Sequence, residues 1–230
     1  NQIVDSINAH NSAEPFFFFF STGKTPLGLY RELVERYKAG KVSFKNVAVV
    51  SLDEFYPITP EHKQSRNYRI HEEFLNHVDI EQANIHIPDA TVPVNEISDY
   101  CKKYDEIASK VDFMIIGMGE QGQLGFNEPG SYEKSRTRLV QLSLNSRKVQ
   151  SKFFSQEKEV PTMAITMGIG TILKAKKIVL MAWGENKADV IQKVVEGEDN
   201  EMTPASLLQS HPNIEVVIDE FAGEKLTRVE

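Results

Sequence analysis

The sequence predicts an α/β fold, and three observations carry that prediction. Short apolar runs alternate with stretches whose apolar residues recur at helical spacing. The clearest runs are Phe16–Phe20, VAVVSL from Val47, MIIG from Met114 and KIVLMAW from Lys177, and none shows the alternation of a half-solvated strand. Two of these runs lead straight into glycine-bearing turns, and the 230 residues contain no repeat or linker that would divide them. The expected architecture is therefore one domain over residues 1–230: a mostly parallel sheet with helices on both faces, a Rossmann-like three-layer sandwich.

In chain order, residues 2–10 read as a helix and residues 11–15 as a break. The five consecutive phenylalanines, Phe16–Phe20, read as a buried parallel strand and carry no functional reading. Ser21, Thr22, Gly23, Lys24, Thr25 and Pro26 follow. Thr25 is a good N-cap and Pro26 a good first helical residue, and Leu27, Tyr30, Leu33, Val34 and Tyr37 then recur at helical spacing. A second strand, residues 47–52, runs into Asp53 and Glu54. Residues 65–78 read as a helix, 84–88 as an extended stretch, and 96–110 as an amphipathic helix in which Cys101 is a packing residue. After the central segment come a basic patch at 135–138 and a helix at 146–154 bearing Arg147, Lys148 and Lys152. A strand at 163–167 turns through Gly168 and Gly170 into a helix. The strand at 177–183 ends in Gly184 before a helix at 185–195 bearing Lys187. Thr203 and Pro204 open a short helix, and 214–218 is the last strand.

Composition excludes some classes. A formal net charge of −7 argues against a nucleic-acid partner, which needs a basic face, but not against a small anion in a local pocket. The single cysteine, Cys101, rules out an intrachain disulfide and fits a reducing, cytoplasmic setting. No run is long and apolar enough to span a membrane, and none reads as a signal peptide. The chain opens on Asn1 rather than Met, which admits a longer parent chain.

Two places carry chemistry. The first is the loop Thr22, Gly23, Lys24, Thr25 between a strand and a helix, where free backbone N–H groups and the helix dipole suit an anion. It is not a Walker A loop, whose first glycine would fall on Phe18. An ordinary capped turn is the other reading of the same residues. The second is the segment MIIGMGEQGQLGFNEPG from Met114, an apolar run followed by glycines that permit a close backbone approach, then Gln121, Gly122, Gln123 and Glu128. Asp53 and Glu54 follow a buried strand and so belong at the same sheet edge, where open α/β sheets bind ligands; a turn-capping Asp53 and a solvent-facing Glu54 are the plainer alternative.

Taken together, STGKTP, SLDEF, GMGEQGQLGFNEPGS, SRTRL, SKFF, ITMGIGTIL and WGENKA resemble, in this order, the glucosamine-6-phosphate deaminase (isomerase) family, whose fold is shared with 6-phosphogluconolactonases. The resemblance covers nearly the whole chain, and FNEP points to the deaminase side. It implies an amino-sugar phosphate isomerase that converts glucosamine 6-phosphate to fructose 6-phosphate and ammonia without a metal or organic cofactor. Thr22, Gly23, Lys24 and Thr25 match the sugar-phosphate cradle, Lys187 its lysine, and Lys152 a position commonly arginine. Asp53 matches the carboxylate that moves the proton between C2 and C1, and Glu128 the glutamate that orients a ring-opening histidine. The chain departs from the family where Asp-Gly-His becomes Gln121, Gly122, Gln123, since glutamine cannot shuttle protons. Arg138 matches an allosteric arginine of some members, but Val140 replaces the accompanying lysine. None of the six histidines obviously replaces the missing one, His62 and His71 being the candidates to approach Asp53. Family members are often homo-oligomers. A phosphosugar-binding domain that has lost catalysis is the alternative function, and a lactonase the weaker third.

Overall fold

The computed structural model describes residues 1–227. The chain runs α1 (Gln2–Ala9), β1 (Phe16–Phe20), α2 (Leu27–Lys38), β2 (Val47–Ser51), β3 (Asp53–Tyr56), α3 (Arg66–Glu73), β4 (Ile85–His86), α4 (Ile97–Ala108) and β5 (Phe113–Gly117). It continues through β6 (Arg138–Gln141), α5 (Leu144–Ser151), β7 (Met163–Thr166), α6 (Ile169–Ile172), β8 (Ile178–Ala182), α7 (Ala188–Val195) and β9 (Ile214–Ile218). A six-stranded sheet has the order β4-β2-β1-β5-β8-β9, and its pairings are parallel throughout.

The phenylalanine run is the sheet's central strand. Alternate side chains point to opposite faces. Phe17 and Phe19 pack with Tyr104, Ile169, Ile172 and Ile191 on one side. Phe16, Phe18 and Phe20 pack with Tyr30, Leu33 and Phe74 on the other. Burial on both faces explains why five bulky residues stand together without a polar break, each contributing about 1.5–3 kcal/mol of transfer free energy. Phe20 stacks on Tyr30 at 4.1 Å between ring centroids, and the Tyr30 hydroxyl donates to Ser21 O at 2.8 Å, tying α2 to the strand's end.

A second sheet, β3-β7-β6, is antiparallel. The sequence puts Asp53 and Glu54 just after a strand; both belong to a strand of their own, β3, where Asp53 pairs Thr166 and Glu54 pairs Ile165. Acidic residues are poor strand formers by propensity, and here pairing and burial override it. Only Leu52 separates β2 from β3, and Leu52 O accepts from Met167 N at 2.9 Å. The β6 strand was likewise read only as a basic patch. Cys101 is buried with Tyr56, Ala90, Ile97 and Ile165, and burial pushes its thiol up to about 11.

In the six-stranded sheet the chain leaves β1 toward β2 on one side, while β5 lies on the other. The connections after β1 and β5 therefore diverge, which opens a crevice at their carboxyl ends.

Candidate active site

That crevice is a cavity of about 220 Å³. The residues after β1 (Ser21, Thr22, Gly23, Thr25) form one wall and those after β5 (Gly117, Met118, Gly119) another, with Asp53 and Arg66 facing them. Val149 and Gln150 of α5 close one side.

Among the described residues, none of the backbone N–H groups of Thr22, Gly23, Lys24 and Thr25 donates a hydrogen bond. They precede α2, so free donors and the positive end of a helix dipole meet in the crevice wall. The cap differs from expectation: Pro26 occupies the N-cap position and the Thr25 side chain makes no cap bond. Thr25 instead packs toward β5, its Oγ1 3.4 Å from where a Cβ on Gly117 would stand, and its carbonyl accepts from Trp183 Nε1 at 3.1 Å.

Asp53 is 5% exposed and its Oδ1 accepts from Arg66 Nε at 3.0 Å. Arg66 lies over the Phe55 ring, 4.5 Å from its centroid, and is the first residue of α3 after the N-cap Ser65. Glu54 points the other way from Asp53 and is 2% exposed. Its carboxylate accepts from Phe55 N, Arg66 N and Asn67 N, each at 2.9 Å, and so caps α3 from beneath. Burial outweighs these bonds and raises its carboxyl to about 7.

Gly125 lets the backbone reach this corner. Its φ is +57°, and a Cβ there would stand 2.8 Å from Asp53 Oδ2. Gln123 lines the crevice with its amide against Gly119, and its Oε1 accepts from Gln121 N at 2.9 Å. Gln121 is exposed and its Oε1 accepts from Asn145 Nδ2 at 3.2 Å. Lys187 Nζ donates at 2.9 Å to the carbonyl of Met118, a residue of the lining, without itself lining the cavity, and burial lowers its pKa.

Other expected residues stand farther out. Glu128 does not line the cavity; its Oε1 accepts from the Ser143 hydroxyl at 3.0 Å and thereby holds the start of α5. Lys24 and Lys152 are exposed and absent from the lining, Lys152 Nζ lying 5.4 Å from the Phe153 ring centroid. His62 stacks with Phe154, and His71 Nδ1 bonds Asn67 O, so neither reaches Asp53. Arg138 Nη1 donates to Asn127 Oδ1 at 2.9 Å, and Asn127, fully buried, donates to Leu124 O and Met167 O. That network pins the backbone behind Gly125.

The model of the glucosamine-6-phosphate isomerase/6-phosphogluconolactonase family matches residues 1–217. The chain belongs to this family. Among deaminase relatives, the glucosamine-6-phosphate deaminase of Thermoanaerobacter pseudethanolicus is 40% identical over 206 residues, 88% of this chain and 81% of that protein. That of Shewanella woodyi is 44% identical over 209 residues, 90% of this chain and 79% of that protein. A solved structure described as a monomeric glucosamine-6-phosphate deaminase superposes with a TM-score of 0.91 at 32% identity, covering 98% of this chain and 92% of that one. The 6-phosphogluconolactonase of Leishmania guyanensis shares the fold, with a TM-score of 0.75 at 18% identity over 99% of this chain and 92% of its own.

For this isomerase/lactonase family member, the sequence alone does not reveal the crevice group Arg66 or the partners that bury Glu54 behind it. A solvent-facing Glu54 was the plainer of its two readings, and its 2% exposure overturns it. Arg66 was passed over as the start of a helix, although a cation in a first helical turn opposes the dipole and is a local oddity that could have marked it.

Proposed function

We propose that the chain is an amino-sugar phosphate isomerase and deaminase that converts glucosamine 6-phosphate to fructose 6-phosphate and ammonia, with ring opening slowed by Gln121 and Gln123. The observation that carries this reading is the crevice itself: Thr22, Gly23 and Thr25, whose backbone N–H groups donate no hydrogen bond among the described residues, line one cavity with Asp53 at the sheet's switch point. The deaminases among its relatives support the choice of substrate.

In this mechanism the 6-phosphate sits on the N–H groups of Thr22, Gly23, Lys24 and Thr25. Lys187 supplies a cation nearby and Lys152 one at the mouth. Anchoring the far end of the sugar orients C1 and C2 toward Asp53, so phosphate binding contributes to the rate of a step it does not touch. Asp53, held by Arg66, takes the C2 proton once C1 is a carbonyl. Gln123, where the family carries histidine, can hydrogen-bond the ring oxygen but cannot protonate it. Glu128 keeps its bond to Ser143 and has no imidazole to orient. The reaction calls for no metal or organic cofactor.

The two glutamines favour a second reading, a phosphosugar-binding domain without turnover. Affinity for glucosamine 6-phosphate and release of fructose 6-phosphate and ammonia, measured on one preparation, separate the two. Binding with slow release is the expected result. Binding with no release beyond the spontaneous rate would leave the binding domain.

A further inference from the structure

Among the described residues that line the crevice, Asp53 and Arg66 alone carry a full charge. Arg66 is 7% exposed, yet among the described residues one hydrogen bond engages its guanidinium, the Nε contact to Asp53 Oδ1. A guanidinium has five N–H donors, and an arginine serving only to neutralise a carboxylate usually spends two of them in a parallel fork. This one uses its side-on nitrogen. Its position is over-determined by other contacts: Phe55 lies beneath it at 4.5 Å and Phe126 at 5.6 Å, while Glu54 Oε1 fixes its backbone N–H at 2.9 Å. A buried, aligned cation with spare donors stands beside the base.

We propose that Arg66 is a catalytic residue whose free N–H groups hold the C1 oxygen of the open-chain sugar phosphate and the negative charge that develops on it. The proposal rests on the reading of Asp53 as the base. Asp53 takes the C2 proton, the C–H pair becomes the C1=C2 bond, and the carbonyl pair moves onto O1, where Arg66 stabilises it. The proton on the C2 heteroatom then passes to O1. Asp53 returns its proton to C1, and the pair re-forms as C2=O or, in an amino sugar, as C2=NH, which water hydrolyses to the ketone and ammonia. Arg66 stays protonated throughout, so the enolisation half of the reaction needs no titrating acid at residue 121 or 123. Donors already aimed at a developing oxyanion are worth about 10²–10³ in rate each.

The test uses two probes on the full chain. An alditol 6-phosphate carries the phosphate but no carbonyl, and an aldonohydroxamate phosphate carries a planar anion resembling the enediolate. Arg66→Met should bind the alditol phosphate as the parent does and lose at least ~10²-fold in affinity for the hydroxamate. Arg66→Lys keeps the charge without the fork and should lose less. Repeating both in an Asp53→Asn background removes the carboxylate's own ionisation as a cause, and the same losses are expected there. If hydroxamate affinity is unchanged in variants that hold the alditol phosphate, Arg66 is a structural counterion and the proposal falls. Should Arg66→Met fail to fold, Arg66→Lys decides by the same comparison. A parent chain that binds neither probe would remove the phosphosugar site, and with it the reading on which the proposal stands.

Discussion

Gly125→Ala should damage both stability and rate, and its neighbour in kind, Gly130→Ala, separates the causes. Gly125 has φ +57°, where an L-residue costs about 1–2 kcal/mol. A Cβ there would also meet Leu52 Cδ2 at 2.7 Å and Asp53 Oδ2 at 2.8 Å, inside normal contact. Overpacking of that kind costs about 1–3 kcal/mol, so the total is about 2–5 kcal/mol. Gly130 has φ +93° but nothing within 4 Å of its would-be Cβ, so its alanine variant bears the backbone cost alone. Urea unfolding at one pH, with equal slopes in the two variants, gives the difference as the contact cost, about 1–3 kcal/mol. The contact pushes on the proposed base, and a displacement of about 1 Å can cost 10²-fold in rate, so turnover should fall in Gly125→Ala and hold in Gly130→Ala. Equal stability losses would refute the close approach of Gly125 to Asp53.

Asp53→Asn should abolish isomerisation while calorimetric titration still finds near-parental sugar-phosphate affinity; turnover at the parent rate would remove Asp53 as the base. Gln121→Asp with Gln123→His should raise turnover at least ~10²-fold and enlarge the isotope effect of deuterium at C2, as proton abstraction replaces ring opening as the slow step. A folded, substrate-binding double variant that gains nothing would favour the binding-domain reading. Glu54's contribution to stability should fall as pH rises from about 4.5 to 7, because burial raises its carboxyl from 4.5 to about 7 and the fold holds its proton more tightly than the unfolded chain does. That contribution is fully present below 4.5, is lost through 7, and amounts to about 3 kcal/mol. Urea titrations across this range should show the slope, and Glu54→Gln, which cannot ionise, should lack it.

Legibility differed between the two sheets for a physical reason. The parallel strands are buried on both faces, so Phe16–Phe20 and Ile178–Ala182 stand out as apolar runs with sharp ends. Asp53–Tyr56 and Arg138–Gln141 are short and carry charges that only tertiary partners satisfy, and no local pattern marks them as strands. The turn at residues 22–25 was legible because it lies between an apolar run and a helical repeat, both marked by local pattern. The partnership of Asp53 with Arg66 was not, since thirteen positions and a change of direction separate the two. Gln121 and Gln123 could be noticed from sequence alone, but not that Gln123 faces the crevice while Gln121 turns out to Asn145.

The seam at Leu52 makes the count of residues matter as much as their identity. Asp53 and Glu54 are neighbours on one strand, so one faces the crevice and the other faces the base of α3. A strand has a period of two, and inserting or deleting one residue between β2 and β3 would exchange them. The crevice would then receive a carboxylate shaped to cap a helix, and the helix would receive one shaped to meet an arginine. Substitutions here can be graded in their effects, whereas a single-codon insertion or deletion is all-or-none. The length of this segment should therefore be held as strictly as Asp53 itself.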